Sequence, residues 1–444
     1  MTRHHAPTSP GSTSLLRARR GGPVAATAAA LLAAICTAPA LASSPTATTA
    51  TAGTTATVDR AATARTTATA STAHGDNVRG ELLSVTPLLR LSRDEVTEAI
   101  AEHGVDASSI RHGIATYRLA YATITPTGEP TTASTLLVLP DGGRRHLATV
   151  AELHGTTVFR GDAPSTGDNV TRLGAYLYAA GGRAVVAPDY LGLGTGPGTH
   201  PYLDNVSSVS ASLDALRAAR PATAQLGRRL TGEVHVTGFS QGGQVAMAFG
   251  REVSRGADRH FRLRSLTPVS GPYDIAGEEV PGMFDGRVKD TSSIFYIAYF
   301  LTAQNKLHPL YDDPREVFRQ PYADRVEKLF DSEHTQEEVA RGLAPNLKEL
   351  LTDAWYKHVR QPTGTLAEVM ALNDGVCQWK PRVPVRLHTA TGDRDVPIGN
   401  TTSCVKTLAQ HGVHPKVINH GDVNHLGGYL NAISDNARWF ARHR

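Results

Sequence analysis

Ser240 is the side chain with the clearest chemical signal in the sequence. It lies in Gly238-Phe-Ser-Gln-Gly242, after the apolar run Glu233–Thr237 and before a segment of helical character. A serine on a tight strand-to-helix turn is presented for attack, and glycine two residues away on either side avoids clashes within the turn. The first N–H groups of the helix point toward the negative charge that attack creates. The pattern therefore predicts a nucleophile for acyl transfer, with a plain strand-to-helix turn as the alternative.

A histidine that can act as general base follows the last apolar run of the chain. A serine nucleophile needs such a base to take its proton, and in this arrangement the chain order is nucleophile, acid, histidine. His425 lies at the far end of the loop before the final helical segment, so we predict that it is the base. His420 closes the preceding strand, and we expect it to be structural.

The acid that orients the histidine is expected on the loop after the run Val383–Thr389. Two carboxylates lie there, Asp393 and Asp395. Asp395 comes three residues after Gly392 and directly before Val-Pro, where we expect the orienting acid. We therefore predict Asp395, with Asp393 as the alternative.

Two backbone N–H groups are needed to stabilise an oxyanion. The first is expected from Gln241, the residue after the nucleophile. The second should come from a loop after an early strand, and Ala148–Leu153 leads into His154-Gly-Thr-Thr157. We predict Thr156 as the second donor and keep Thr157 as the alternative.

No sequence pattern indicates a cofactor or a metal. The glycine-rich stretch from Asp189 to Gly198 follows a strand, but Pro197 interrupts it and no helix starts directly after it, so we do not expect nucleotide binding. No His-Glu-x-x-His and no Cys-x-x-Cys motif occurs. We therefore expect a reaction that needs neither a cofactor nor a metal.

Short apolar runs alternate with helix-length segments along the body of the chain. This rhythm predicts an α/β fold, a mostly parallel sheet covered by helices on both faces and entered through an antiparallel hairpin. A helix is also predicted over Leu91–His103, with Ser92 and Glu95 as a capping box. The predicted strands are Ile114–Thr125, Thr131–Leu139, Leu147–Leu153, Ala184–Ala187, Glu233–Thr237, Arg264–Val269, Val383–Thr389 and Pro415–Asn419. The further helices are Asn169–Ala180, Val206–Arg220, Gln241–Ser254, Thr401–His411 and Gly427–His443.

The alternation breaks once, between the sixth and seventh predicted strands. Residues 272–375 have helical character without strand-like runs, which indicates an inserted cap over the active site. An independent bundle with structural duties is the alternative. The aromatic segment Ile294–Leu301 predicts an acyl pocket in this cap, with Phe295 and Tyr299 as substrate-binding residues.

The N-terminal region has the pattern of an export signal followed by a tether. Residues 1–42 combine arginines, an Ala/Leu-rich stretch and a small-x-small site that ends at Ala42, which predicts a cleaved signal peptide and a secreted protein; a short membrane anchor is the alternative. Residues 43–73 are almost entirely Ala, Thr and Ser, a composition typical of a disordered linker. The catalytic domain is then expected over residues 74–444.

The cysteine content and charge limit the environment and the partners. Cys36 leaves with the signal, and we expect Cys377 and Cys404 to form a disulfide in an oxidising compartment, with two buried free thiols as the alternative. Four of the 45 basic side chains lie in the signal, so the rest of the chain has as many basic as acidic side chains, 41 of the latter. We expect no nucleic-acid partner and, after signal cleavage, no integral membrane association.

The motifs together resemble the α/β-hydrolase superfamily. The resemblance rests on Ser240 in Gly-Phe-Ser-Gln-Gly-Gly, on Asp395, His425 and the His154-Gly loop. More narrowly, three segments are similar to secreted bacterial relatives of the fungal secretory lipases. These segments are Val185–Gly194, His200-Pro-Tyr202 and Leu213–Arg220, within a similarity that runs from Gly80 to Arg444.

This resemblance implies a carboxylester hydrolase, often with a cap after the sixth strand. We expect a secreted serine esterase or lipase that acts on a small-molecule or lipid ester. The cap carries no motif that maps onto the group, so no acyl-chain preference is implied. An acyltransferase or a serine aminopeptidase on the same fold remains the alternative, as does an inactive secreted binding module.

Overall fold

The computed structural model describes residues 78–442 of the chain. Its strands within this part are β1 (Leu82–Leu91), β2 (Gly113–Ile124), β3 (Pro130–Asp141), β4 (His146–Leu153), β5 (Ala184–Pro188), β6 (Arg229–Phe239), β7 (Arg262–Val269), β8 (Arg386–Thr389) and β9 (Lys416–Asn419). They form one sheet in the order β1-β2-β3-β5-β4-β6-β7-β8-β9. Strands β1, β2, β3 and β5 pair antiparallel in that order, whereas the neighbours from β5 through β9 are parallel. The expected mostly parallel sheet, entered through an antiparallel hairpin, is confirmed.

Strand β1 at the sheet edge was not predicted from the sequence. Its ten residues include Pro87, which lacks the N–H that a ladder needs and argues against a strand. The structure accommodates this proline at a register shift between Pro87 and Leu89, on an edge strand that pairs only with β2. The expected helix therefore begins two residues later than predicted, at Arg93, and its capping box of Ser92 and Glu95 is confirmed.

Helices cover both faces of the sheet. Those of the described chain are α1 (Arg93–Ala101), α2 (Leu173–Ala180), α3 (Asn205–Gln225), α4 (Gln241–Ser254), α5 (Val280–Asp285), α6 (Asp290–Asn305), α7 (Pro314–Val317), α8 (Val326–Leu329), α9 (Gln336–Gly342), α10 (Leu347–Leu350), α11 (Asp353–Arg360), α12 (Gly364–Asn373), α13 (Gly399–Gln410) and α14 (His425–Arg442). One apolar core joins the sheet to α3, α4 and α13, and the other joins it to α1, α2 and α14. A sheet buried on both sides explains why the strand runs are apolar rather than alternating.

The helical insertion lies between β7 and β8. Strand β7 is the sixth of the predicted strands, because β1 was not predicted, so the insertion lies where the sequence places it. Helices α5 to α12 belong to it, preceded by a π-helical turn at Ile275–Glu279. Its apolar side chains form a cluster of their own, which also includes Val158 from the loop after β4 and Tyr202 and Leu203 from the loop after β5. The insertion therefore packs as a cap on the loops that follow these two strands.

The predicted signal peptide (1–42) and linker (43–73), with Cys36, lie outside the described residues. Among residues 78–442, the structure has no helix that is both long and apolar enough to cross a membrane.

Candidate active site

Ser240 lies between the end of β6 and the start of α4. Its backbone has φ 57° and ψ −122°, a conformation that costs a non-glycine residue roughly 1–3 kcal/mol. A Cβ at Gly238 would collide with the carbonyl oxygen of Gly242, and a Cβ at Gly242 would collide with that of Leu153. Both glycines are thus required sterically, as the motif predicts. The turn holds a buried serine in a strained conformation, which is the expected geometry of a nucleophile elbow.

His425 begins α14 and faces a carboxylate. Its Nδ1 lies 2.6 Å from Oδ2 of Asp393, whose side chain is fully buried. Burial acts to raise the pKa of Asp393, but attraction to His425 and hydrogen bonds from His425 and from the backbones of Val396 and Asp395 outweigh it and lower the pKa. Asp393 is therefore ionised at neutral pH and orients the imidazole.

The second ring nitrogen of His425 is left available. Its Nε2 is buried and has no hydrogen-bond partner among residues 78–442. The ring packs on Phe239, with 4.4 Å between centroids, and Phe239 directly precedes Ser240. Because Nδ1 donates to the carboxylate, Nε2 carries the lone pair that a general base uses.

The prediction that Asp395 is the orienting acid is wrong. Asp395 is bound by the cap: Lys289 Nζ lies 2.9 Å from its Oδ1, and Ser292 Oγ donates to the same oxygen at 2.5 Å. The loop turns so that the backbone N–H groups of Asp395 and Val396 donate to Oδ1 of Asp393, each at 2.9 Å. These bonds turn Oδ2 of Asp393 toward the histidine, a local geometry that spacing along the chain does not reveal.

The two expected oxyanion donors border one pocket with Ser240. Gln241 is the first residue of α4, where backbone N–H groups have no acceptor within the helix, and Thr156 follows β4. A Cβ at Gly155 would come within 3.3 Å of Ser240 Cβ, so the β4 loop lies directly against the elbow. The ring of His154 holds this loop, with Nδ1 2.7 Å from the Gly155 carbonyl oxygen. The oxyanion roles of Gln241 and Thr156 remain predictions.

A pocket opens beside Ser240. It is bounded by the elbow, the β4 loop and the cap, and most of its wall is apolar. The lining residues are Thr156, Tyr202, Leu203, Ser240, Gln241, Pro272, Ile275, Glu279, Val280, Met283, Tyr296, Ile297, Phe300, Met370 and Val396. A mainly apolar cavity with a few polar groups is the usual form of a small-molecule site, and this one lies beside the predicted nucleophile.

The predicted substrate-binding residues Phe295 and Tyr299 do not line this pocket. Helix α6 faces the pocket with Tyr296, Ile297 and Phe300 instead. Tyr299 is buried one layer behind, stacked on Tyr202 with centroids 4.2 Å apart, and its hydroxyl donates to the Thr157 carbonyl. The sequence indicates the right helix but not its rotation, because the segment is apolar on every side.

The pocket wall includes Glu279, and two residues directly behind the wall, Asn400 and His200, were likewise missed by the sequence analysis. Asn400 donates to Glu279 Oε2 at 2.7 Å. His200 contacts the side chain of Gln241, with 3.0 Å between its Nε2 and the amide nitrogen, and burial lowers the His200 pKa to about 3. Glu279 and Asn400 belong to no motif, so no sequence signal marks them; His200 appears only within the His-Pro-Tyr segment.

The predicted disulfide between Cys377 and Cys404 is confirmed, with Cα atoms 5.5 Å apart. It joins the segment that follows the cap to α13 and so encloses β8 and the loop of Asp393. Within residues 78–442, no group of three or more His, Cys, Asp or Glu side chains is arranged to hold a metal ion.

A family model described as "Alpha/beta hydrolase family" matches residues 153–429, more than half of the chain. The match begins at the end of β4 and extends into α14, so it includes Ser240, Asp393 and His425. The protein therefore belongs to the alpha/beta hydrolase family, and the fold expected from the sequence is confirmed.

Solved structures of this fold share the architecture over most of the chain. A candidate hydrolase from Legionella pneumophila is 22% identical with a TM-score of 0.74, covering 82% of this chain and 98% of its own. The rice cell wall degrading esterase LipA from Xanthomonas oryzae, in a ligand-bound form, is 27% identical with a TM-score of 0.70, covering 81% and 97%. Candida antarctica lipase A is 14% identical with a TM-score of 0.60, covering 79% of each chain. A comparison with curated protein sequences gave no match.

Proposed function

We propose that this hydrolase is a secreted serine carboxylester hydrolase, of esterase or lipase type, that uses Ser240, His425 and Asp393. The observation that carries the proposal is the 2.6 Å contact between His425 Nδ1 and Asp393, because it leaves Nε2 as an unpartnered base beside the elbow. The likeness to the esterase LipA, at 27% identity, supports an ester as the substrate.

In the acylation step, Ser240 Oγ attacks the ester carbonyl while His425 Nε2 takes its proton. Asp393 stabilises the imidazolium that results and does not itself take the proton. The backbone N–H groups of Gln241 and Thr156 donate to the oxyanion of the tetrahedral intermediate. As the intermediate collapses, His425 passes the proton to the leaving alcohol, and an acyl group remains on Ser240.

In the deacylation step, water replaces the alcohol. His425 takes a proton from this water, which attacks the acyl carbonyl, and the same two amides stabilise the second oxyanion. Collapse returns the proton to Ser240 Oγ and releases the carboxylic acid. The apolar wall formed by the cap provides a binding surface for the hydrocarbon part of a small-molecule or lipid ester.

Initial rates on p-nitrophenyl esters from acetyl to palmitoyl test this function. We expect turnover by the mature protein and none by a folded Ser240→Ala variant, with the chain-length optimum separating esterase from lipase. A folded wild-type protein that hydrolyses no ester in the series would contradict the proposal. So would hydrolysis that persists in Ser240→Ala.

The secretion proposal rests on the N-terminal sequence alone. We expect the exported protein to begin at Ser43, after removal of residues 1–42. N-terminal sequencing of protein recovered from the medium checks this. A protein retained with its original N-terminus would support the membrane-anchor alternative.

A further inference from the structure

Glu279 is a buried carboxyl group in the wall of the pocket that holds Ser240. It ends the π-helical turn Ile275–Glu279 at the base of the cap, and only 5% of its surface is exposed. Burying a polar group in a mainly apolar wall is costly unless it has partners. The ester chemistry proposed above assigns Glu279 no role. Its presence in this wall therefore requires another explanation.

The hydrogen bond from Asn400 fixes one oxygen of Glu279. Asn400 Nδ2 donates to Oε2 at 2.7 Å, and the orientation of the Asn400 amide is set because its Oδ1 accepts the backbone N–H of Asp274 at 3.1 Å. Asn400 is fully buried and does not line the pocket. The hydrogen bond from Asn400 does not engage Oε1 of Glu279. Oε1 is the atom left to meet a molecule bound in the pocket.

The protonation state of Glu279 defines what it can bind. Burial raises its pKa to about 8; Asp393 and Asp395 add to the rise, while the Asn400 hydrogen bond and the Arg287 charge oppose it. At neutral pH the side chain is therefore a neutral acid with one O–H to donate. A neutral acid gives an ammonium group no ion pair to offset its desolvation, whereas it pairs well with an uncharged oxygen.

Tyr296 adds a second polar group to the same wall. Burial raises the pKa of the Tyr296 hydroxyl well above its ordinary value, with added effects of Asp395 and Glu279. Tyr296 is therefore a neutral hydroxyl. Glu279 and Tyr296 together provide donors and an acceptor on the cap side of the pocket, which is otherwise hydrophobic.

We propose that Glu279 and Tyr296 form a polar subsite that binds a hydroxyl group of the substrate. The enzyme then selects hydroxylated esters over all-hydrocarbon esters of the same shape. A site built around a hydrogen bond discriminates against a substrate that lacks it, because its own polar groups are left unpaired. This inference rests on the proposed ester hydrolase activity and specifies its substrate class.

The test compares matched pairs of esters. One set pairs p-nitrophenyl esters of ω-hydroxy acids of increasing length with esters in which a methyl group replaces the hydroxyl. The other set places the hydroxyl or methyl in the alcohol part. We expect wild type to favour the hydroxylated member of at least one pair by about tenfold or more in kcat/KM. Glu279→Leu should lose this preference, and Glu279→Gln, which can still accept from Asn400 and donate, should keep most of it.

Glu278→Gln is the matched control, because Glu278 pairs with Arg287 outside the pocket, and it should keep the wild-type preference. No preference in wild type, or a preference that survives in Glu279→Leu, would overturn the inference. If Glu279→Leu does not fold, the rates of the wild-type enzyme on the matched ester pairs decide whether the inference holds. A preference for ω-amino over ω-hydroxy esters would also overturn it. Hydrolysis that persists in Ser240→Ala would instead refute the proposed function.

Discussion

At the residue scale, the structure distinguishes two carboxylates two positions apart. Asp393 is fully buried and accepts a hydrogen bond from His425 Nδ1. Asp395 instead binds Lys289 and Ser292. The spacing of the loop favours the wrong one. Only the backbone bonds that Asp393 Oδ1 accepts show which carboxylate turns toward the histidine.

We expect Asp393→Asn to lower kcat by about 10³–10⁴-fold, since an amide holds the ring without stabilising its charge or its tautomer. Asp395→Asn is the matched control, and its kcat should stay within about tenfold of wild type, because Asp395 binds Lys289 and Ser292 of the cap rather than His425. The measurement is kcat on p-nitrophenyl butanoate, with folding checked by circular dichroism. A larger loss in Asp395→Asn than in Asp393→Asn would contradict the assignment.

A second buried carboxyl, Glu152 at the end of β4, makes stability depend on pH. Tyr429 donates to its Oε1 at 3.3 Å, and its Oε2 has no partner among residues 78–442. Burial raises its pKa from the ordinary 4.5 to about 8, against the smaller effect of Tyr429. Between these values the folded protein keeps a proton that the unfolded chain releases. The retained proton therefore stabilises the folded protein: its contribution to the free energy of unfolding is complete below pH 4.5 and is lost as pH rises toward 8.

We expect Glu152→Gln to be more stable than wild type at pH 8 and to lose that advantage near pH 5. The difference between the two pH values should be on the order of 2–4 kcal/mol in the free energy of unfolding. Urea unfolding of both proteins at the two pH values measures it. A difference that does not change with pH would mean that Glu152 titrates normally.

At the element scale, helix α6 has two apolar faces with different roles. Phe300 lies in the pocket wall with Tyr296 and Ile297, whereas Phe295 packs edge-on against Phe330 inside the cap, with centroids 5.8 Å apart. The sequence does not separate these faces, because a helix that is apolar on all sides has no amphipathic pattern to show which side faces the pocket.

We expect Phe300→Ala to raise kcat/KM for long acyl esters relative to short ones by roughly tenfold, since it enlarges the pocket. Phe295→Ala is the matched control: it removes the same side chain outside the pocket, so it should lower stability but leave this ratio nearly unchanged. Rates over the p-nitrophenyl ester series measure both. The same shift in both variants would show that the ratio responds to cap stability rather than to the pocket.

Most strands of the sheet and the helices that cover it could be predicted, whereas strand β1 and the short helices of the cap could not. The alternation of apolar runs and helical segments predicts the parallel sheet because both periods extend over several turns or strand residues. Strand β1 was missed because Pro87 argues against a strand. Helices α7, α8 and α10 have four residues each, too few for a helical period to show in the sequence.

At the scale of the whole molecule, the disulfide connects the segment that follows the cap to helix α13. Cys377 and Cys404 are 27 positions apart and both are buried in the core that β8 shares with α13. The site is assembled from distant parts of the chain. The order of its residues follows from the sequence, but the pocket depends on how the cap folds, and no motif specifies that.

We expect the Cys377→Ala/Cys404→Ala variant to lose about 3–4 kcal/mol of unfolding free energy, because the open chain gains entropy when it unfolds. Urea unfolding measures the loss. Reductant should destabilise wild type and leave the double variant unaffected, which is the control. Equal stability of wild type and the variant under oxidising conditions would contradict a stabilising role.

The most direct test of the central claim is covalent labelling of the nucleophile. Diethyl p-nitrophenyl phosphate reacts with an activated serine, releases p-nitrophenol and leaves a diethylphosphoryl group on it. We expect one such group per molecule, mapped to Ser240 by peptide mass spectrometry, with ester hydrolysis lost in proportion. Folded Ser240→Ala should remain unlabelled, and Asp393→Asn should be labelled far more slowly. A label on another residue that abolishes hydrolysis, or hydrolysis that continues after Ser240 is fully labelled, would contradict the claim.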